Sequence, residues 1–224
     1  MTHLPCLEIQ TSDSPKAAVI WLHGLGADGN DFAPVVPELG LPDSLGVRFV
    51  FPHAPSIPVT VNGGYVMPAW YDILDLSLER KLDEAQLRAS ARAVQALIRR
   101  EMDRGIASER IFLAGFSQGG AVAYEAALSF EAPLGGLLAM SSYFATADSV
   151  TVNDANRDLP VMIYHGRQDD IVPEQLGRQA VSRLQDLGYS PDYQGYDMAH
   201  SLCLEQIHHI GRWLQAGLRV SGRC

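Results

Sequence analysis

The chain has 224 residues, a formal net charge of −9, 47% hydrophobic and 19% charged residues, the make-up of an ordinary globular protein able to bury a sizeable core. That charge excludes nucleic acid as the main partner, because holding a polyanion needs Lys and Arg to neutralise phosphates. Cys6, Cys203 and Cys224 are odd in number and form no CxxC pair, so neither a disulfide framework nor a zinc knuckle is expected.

The opening residues lack a basic start followed by an apolar stretch, and no run of about 18 apolar residues occurs anywhere. A cytoplasmic location with no stable membrane insertion is expected. No repeat, low-complexity segment or glycine-serine linker divides the sequence, so a single domain over 1–224 is expected.

Taken in chain order, the first apolar run is "AAVIWLHG" at 17–24, and it leads into "HGLGADG" at 23–29, whose three glycines let a loop turn its N–H groups inward. A phosphate-binding loop is the competing reading, but the segment carries neither G-x-G-x-x-G nor a P-loop lysine motif. "VRFVFP" at 47–52 is a second strand. Residues 53–81 follow with three prolines and two adjacent glycines, an irregular segment of a length that is uncommon unless functional. Between residues 84 and 105, Leu87, Ala91, Val94, Ile98 and Met102 recur at spacings of three and four, and Gly105 supplies the stop.

"RIFLAG" at 110–115, "LGGLLAMSS" at 134–142 and "LPVMIYHG" at 159–166 are further near-continuous apolar runs, which imply strands buried on both faces. Cys203, Ile207, Ile210 and Leu214 stripe the last helix. Alternation of this kind predicts an α/β fold with a mostly parallel central sheet and helices on both faces.

The run "GFSQGG" at 115–120 stands between a strand and the apolar stretch "AVAYEAAL". It fits G-x-S-x-G, in which a serine hydroxyl projects from a cramped strand-to-helix turn and its neighbours two positions away must be small. An ordinary turn with an N-capping serine is the alternative. A serine nucleophile needs a base and an orienting acid, in this fold in the order Ser, Asp, His. Asp169 in "HGRQDDIVP" and His200 after "PDYQGYDMA" stand beyond strand ends. Asp170 is a rival for the acid role. His208 and His209 belong to the helical stripe, and His165 closes a strand where it can bond loop backbone. The oxyanion calls for backbone N–H groups, one from Gln118 and the second from Leu25.

"LHGLGADG", "MPAWYDI", "GFSQGG", "HGRQDDIVP" and the His200 segment, in that order from Trp21 to Leu214, resemble the bacterial carboxylesterases related to acyl-protein thioesterases and lysophospholipases. The resemblance implies a compact α/β-hydrolase without a separate cap domain. It also implies Ser117 as nucleophile, His200 as base, Asp169 as acid, and the N–H groups of Leu25 and Gln118 as oxyanion hole. Ala199 departs from the glycine usual before that histidine. Arg167 and Asp170 depart from the acid loop of some thioesterases.

The expected reaction is two-step hydrolysis of a small-molecule ester or thioester, with no metal or organic cofactor. Met67, Trp70, Leu74 and Leu76 are the candidate substrate-binding residues, within an apolar segment that also carries Ile73. Packing of the loop onto the body is the equal alternative for Trp70 and Ile73. A homodimer is compatible with the sequence, which does not set the oligomeric state.

Overall fold

The structure, a computed structural model, describes residues 3–75 and 81–220. Leu76, Leu78 and Cys224 therefore lie outside the described residues.

Seven strands form the main sheet in the order β1-β3-β2-β6-β7-β8-β9. They are β1 (Cys6–Gln10), β2 (Ala17–Leu22), β3 (Val47–Pro52), β6 (Ile111–Phe116), β7 (Gly136–Met140), β8 (Val161–Gly166) and β9 (Asp192–Tyr196). All neighbours pair in parallel except β1, which runs antiparallel to β3 at the edge. Every residue of β2 is buried, as its uninterrupted apolar run requires.

The mostly parallel sheet with helices on both faces is the architecture expected from the alternation. Helix α1 (Glu84–Asp103) starts at Asp83, whose carboxylate accepts the backbone N–H of Gln86 at 2.9 Å. It stops at Gly105, which takes a φ of +92°. Leu87, Ala91, Val94 and Ile98 of its stripe are buried against one face of the sheet, together with α2 (Gln118–Leu128). Helix α3 (Glu174–Asp186) packs on that same side, and α4 (Leu204–Val220) covers the other face through Ile210, Leu214 and Leu218. All residues of α2 are buried, which is why its sequence is mostly small and apolar apart from Gln118 and Glu125.

Two parts differ from the expectation. The segment 53–81 is not wholly irregular: Ser56–Val59 (β4) and Tyr65–Pro68 (β5) make an antiparallel hairpin, and an isolated bridge joins Ile73 to Leu82. Its strands are four residues long and mostly exposed, so they carry no buried apolar run to betray them. The edge strand β1 is mixed in composition and only partly buried.

At the base of the sheet, the fully buried Glu101 meets Arg48 at 2.6 Å, Arg104 at 2.9 Å and Arg100 at 3.0 Å. Removing one partner of a buried ion pair strands the other charge, typically at a cost of about 3 kcal/mol or more. Glu101→Leu should lower unfolding stability by about 3 kcal/mol in urea titrations while the folded fraction keeps its ester turnover. A midpoint equal to that of the parent would mean that the arginines relax into solvent at no cost.

Candidate active site

Strand β6 ends at Phe116 and α2 begins at Gln118, so the chain reverses on Ser117. The serine sits at φ 54° and ψ −121°, a backbone conformation that side-chain-bearing residues rarely hold unless their surroundings impose it. Those surroundings are crowded. A Cβ on Gly115 would lie 2.4 Å from the carbonyl oxygen of Gly119, and one on Gly119 would lie 2.5 Å from that of His23. From the side, the Ser117 N–H donates to the Met140 carbonyl at 2.9 Å and the Ser142 hydroxyl donates to the Ser117 carbonyl at 2.7 Å. The serine side chain makes no capping hydrogen bond, which removes the ordinary-turn alternative.

The acid loop follows β8. Asp169 is buried, and its Oδ1 accepts the N–H groups of Val172 at 2.8 Å and Ile171 at 3.1 Å. Its Oδ2 lies 2.7 Å from Nδ1 of His200. Asp170 is exposed, so the carboxylate that faces the imidazole is that of Asp169. Burial pushes the Asp169 carboxyl up, but the hydrogen bonds from His200 and Val172 and the two nearby imidazoles outweigh burial and hold it below the usual carboxylate range.

His200 follows β9, with its ring centroid 4.6 Å from that of Phe116. Ala199 before it needs no glycine: among the described non-glycine residues only Ser117 and Ser141 take a positive φ. With Nδ1 occupied by Asp169, Nε2 is the nitrogen left to exchange a proton.

Ser117 and His200 line one cavity of about 430 Å³ with Leu25, Gln118, Ile73 and Val172. Most of its remaining wall is apolar, from Val61, Phe116 and Ile171. Leu25 and Gln118 are thus both beside the serine. Gln118 opens α2, and the first N–H groups of a helix have no carbonyl partner within it.

The candidate substrate residues fare unevenly. Ile73 is in the wall, but Trp70 is not: it is 1% exposed and its indole N–H donates to the His23 carbonyl at 2.8 Å. A buried indole needs such a partner, and finding it turns the ring into scaffold beneath the cavity. Leu74 is 49% exposed and is not in the wall either. Met67 reaches the wall indirectly, its sulfur accepting from the amide of Asn62 at 3.3 Å, and Asn62 lines the cavity. Leu76 lies outside the described residues.

Sequence reasoning missed two supports. It asked only for the backbone of Gln118, yet the Gln118 side chain is buried and clamps the segment below the cavity: Oε1 accepts the Trp70 N–H at 2.8 Å and Nε2 donates to the Tyr71 carbonyl at 2.7 Å. The second is His23, buried after β2, with Nδ1 at 2.7 Å from the Gly24 carbonyl and Nε2 accepting the Ala54 N–H at 3.1 Å. That pairing fixes a neutral tautomer. Burial holds its pKa down against the opposing hydrogen bond to Gly24 and the acidic Asp28 and Asp31. A histidine beside glycines was the only signal for it. Among the described residues no three His, Cys, Asp or Glu side chains gather as a metal site would need, and no helix is long and apolar enough to cross a membrane.

A serine on a strained turn between a central parallel strand and a buried helix, with an acid and a histidine on loops after later strands, defines an α/β-hydrolase. The chain belongs to the phospholipase/carboxylesterase family, whose sequence pattern matches residues 4–218. It is 40% identical over 213 residues to an acyl-protein thioesterase 1 of Gibberella zeae, covering 90% of this chain and 91% of that protein. Among solved structures, Arabidopsis thaliana SOBER1 superposes with a TM-score of 0.84 at 27% identity, over 90% of this chain and 99% of that one. Zea mays acyl-protein thioesterase 2 does so with a TM-score of 0.84 at 25% identity, over 96% of this chain and all of its own.

Cutting the clamp removes the Gln118 hydrogen bonds to the buried Trp70 N–H and to the Tyr71 carbonyl, and leaving a buried donor unsatisfied costs about 1–3 kcal/mol. Gln118→Ala should therefore lower the melting temperature and raise KM for esters more than it lowers kcat. A variant as stable as the parent, with unchanged KM, would show that the side chain is idle.

His23 and His165 are both buried with depressed pKa values, so the native state binds fewer protons than the unfolded chain just below the ordinary histidine value of about 6.5. Stability should accordingly fall as pH drops through about 6.5 towards the folded pKa values. Melting curves between pH 8 and pH 5 would read this, and the slope should shrink in His23→Gln. An equal slope in both proteins would remove His23 from the account.

Proposed function

We propose that the protein is a serine carboxylesterase that hydrolyses esters of short to medium acyl chains through an acyl-enzyme. The observation that carries the reading is the 2.7 Å contact of Asp169 with His200, in a cavity the imidazole shares with the strained Ser117. His200 Nε2 takes the hydroxyl proton as the Ser117 oxygen attacks the carbonyl carbon. Asp169 fixes the tautomer and stabilises the imidazolium. The backbone N–H groups of Leu25 and Gln118 receive the oxyanion, and His200 returns its proton to the leaving oxygen or sulfur. Water then releases the acyl group by the same roles in reverse. An apolar cavity of about 430 Å³ suits an acyl chain rather than a charged one.

A second reading, acyl-protein thioesterase as the main activity, is favoured by the 40% identity to a fungal protein of that name. The placement in the bacterial carboxylesterase branch rests on the sequence motifs alone. A fluorophosphonate probe should label Ser117 and leave Ser117→Ala unlabelled. A folded parent that escapes labelling would favour a non-catalytic binding protein. Turnover of p-nitrophenyl butyrate against an S-palmitoyl peptide decides between the first two readings.

Only one of the adjacent aspartates should matter. Asp169→Asn keeps the shape but favours the wrong imidazole tautomer, which in serine proteases costs about 10⁴ in kcat. Asp170→Asn should keep most of the turnover. A larger loss for Asp170→Asn would reverse the assignment.

A further inference from the structure

His165 is the penultimate residue of β8, and its side chain is fully buried. Its Nε2 lies 2.7 Å from the carbonyl oxygen of Val172 and 3.6 Å from Oδ2 of Asp169. Its Nδ1 has no hydrogen-bond partner and is pressed against Gly177 of α3, where a Cβ would come within 2.3 Å of it. With no acceptor beside Nδ1 and a carbonyl in front of Nε2, the tautomer that satisfies the surroundings carries its proton on Nε2. The charged and titratable groups facing the ring are Asp169 in the acid loop, His200 in the base loop and Glu174 in the first turn of α3.

Val172 joins this ring to the acid. Its carbonyl accepts from His165, and its own N–H donates to Asp169 Oδ1 at 2.8 Å. One peptide residue therefore carries the position of a strand-anchored imidazole to the carboxylate. The distance of 3.6 Å is too long for a hydrogen bond, but it sets the positive end of the Nε2–H dipole beside the same oxygen that meets His200.

We propose that His165 is the positioning residue of this site: its Nε2–H holds the acid loop through Val172 in the register at which Asp169 Oδ2 meets His200 Nδ1. The inference rests on the esterase reading for its kinetic consequence, but not for its geometry. Gly177 is then part of the device, since a side chain there would displace the ring. Without the Nε2–H, the Val172 carbonyl loses its buried partner and the loop relaxes. Displacement of a catalytic group by about 1 Å can cost on the order of 100-fold. The loss falls on kcat, because neither His165 nor Val172's carbonyl touches the acyl group.

The test compares His165→Phe, which fills the space without a donor, with His165→Gln, whose amide nitrogen reaches the place of Nε2, and His165→Asn, whose amide reaches only that of Nδ1. Two readouts are taken. The low-field proton resonance of His200 Nδ1–H reports the contact with Asp169 whether or not the protein turns over ester. Steady-state kinetics with p-nitrophenyl butyrate report its use. His165→Phe should lose or shift the resonance and lower kcat by about ten- to a hundredfold at little changed KM. His165→Gln should restore both readouts to near the parent.

An unchanged resonance and kcat in His165→Phe, or equal losses in Phe and Gln variants, would overturn the proposal. Should His165→Phe not fold, the Gln and Asn variants decide: Gln retained and Asn impaired supports it, and equal behaviour overturns it. A parent protein that shows the resonance but no ester turnover would sink the esterase reading and leave this one standing.

Discussion

The rest of the site depends on one close approach: the first turn of α2 lies directly against the carbonyl end of β2. No side chain fits between Gly119 and the His23 carbonyl, so the helix that follows Ser117 and the loop after β2 are held at backbone contact. The strained angles of Ser117 follow from this, because the chain must pass from β6 into α2 with no room to turn more gently. Strain of this kind costs about 1–3 kcal/mol, and it is offset by a helix and strands that are buried except at Phe116, the last residue of β6. The same His23 carbonyl also accepts the Trp70 indole. A single peptide oxygen thereby sits between the serine's helix and the floor of the cavity.

Around this contact the polar groups divide into two kinds. His23 and His165 are buried and neutral, each held between a strand end and a loop. His200 is the histidine that stays partly open, with a carboxylate on one nitrogen and the cavity on the other side. Burial favours the uncharged form of an imidazole, and it holds the pKa values of His23 and His165 down. The three histidines near one edge of the sheet thus differ in role because their surroundings differ, and the residue type alone does not separate them.

That distinction marks how far the sequence was legible. The five inner parallel strands, the α1 stripe and the cramped serine turn were readable because each leaves a local pattern: an apolar run, a spacing of three and four, or glycines two positions either side of a serine. Asp169 and His200 could be picked out because strand ends put them on one edge. The hairpin of β4 and β5 was not readable, since Val59 is its one buried residue and the short strands leave no apolar run to mark them. Trp70 was left between two readings for a different reason. A large aromatic residue near a site reads the same whether it lines a wall or supports one, and only the position of the His23 carbonyl separates the cases. The Gln118 clamp was hidden because its partners are backbone atoms 47 and 48 residues away, which no residue identity records.

The wall of the cavity is accordingly of two materials. Leu25, Phe116, Ser117 and Gln118 belong to the segments locked by the backbone contact at Gly119, so this side of the wall is placed by a deeply buried part of the molecule. Val61 and Asn62 belong to the turn between β4 and β5, joined to the return of the segment by the Val61 N–H, which donates to the Ile73 carbonyl at 3.1 Å, whereas Ile73 is itself buried in the core and bridged to Leu82. Segments with few buried contacts open at low free-energy cost. Substitutions in that turn can therefore reshape this part of the wall while leaving the backbone contact at Gly119, and with it the placement of Ser117, intact.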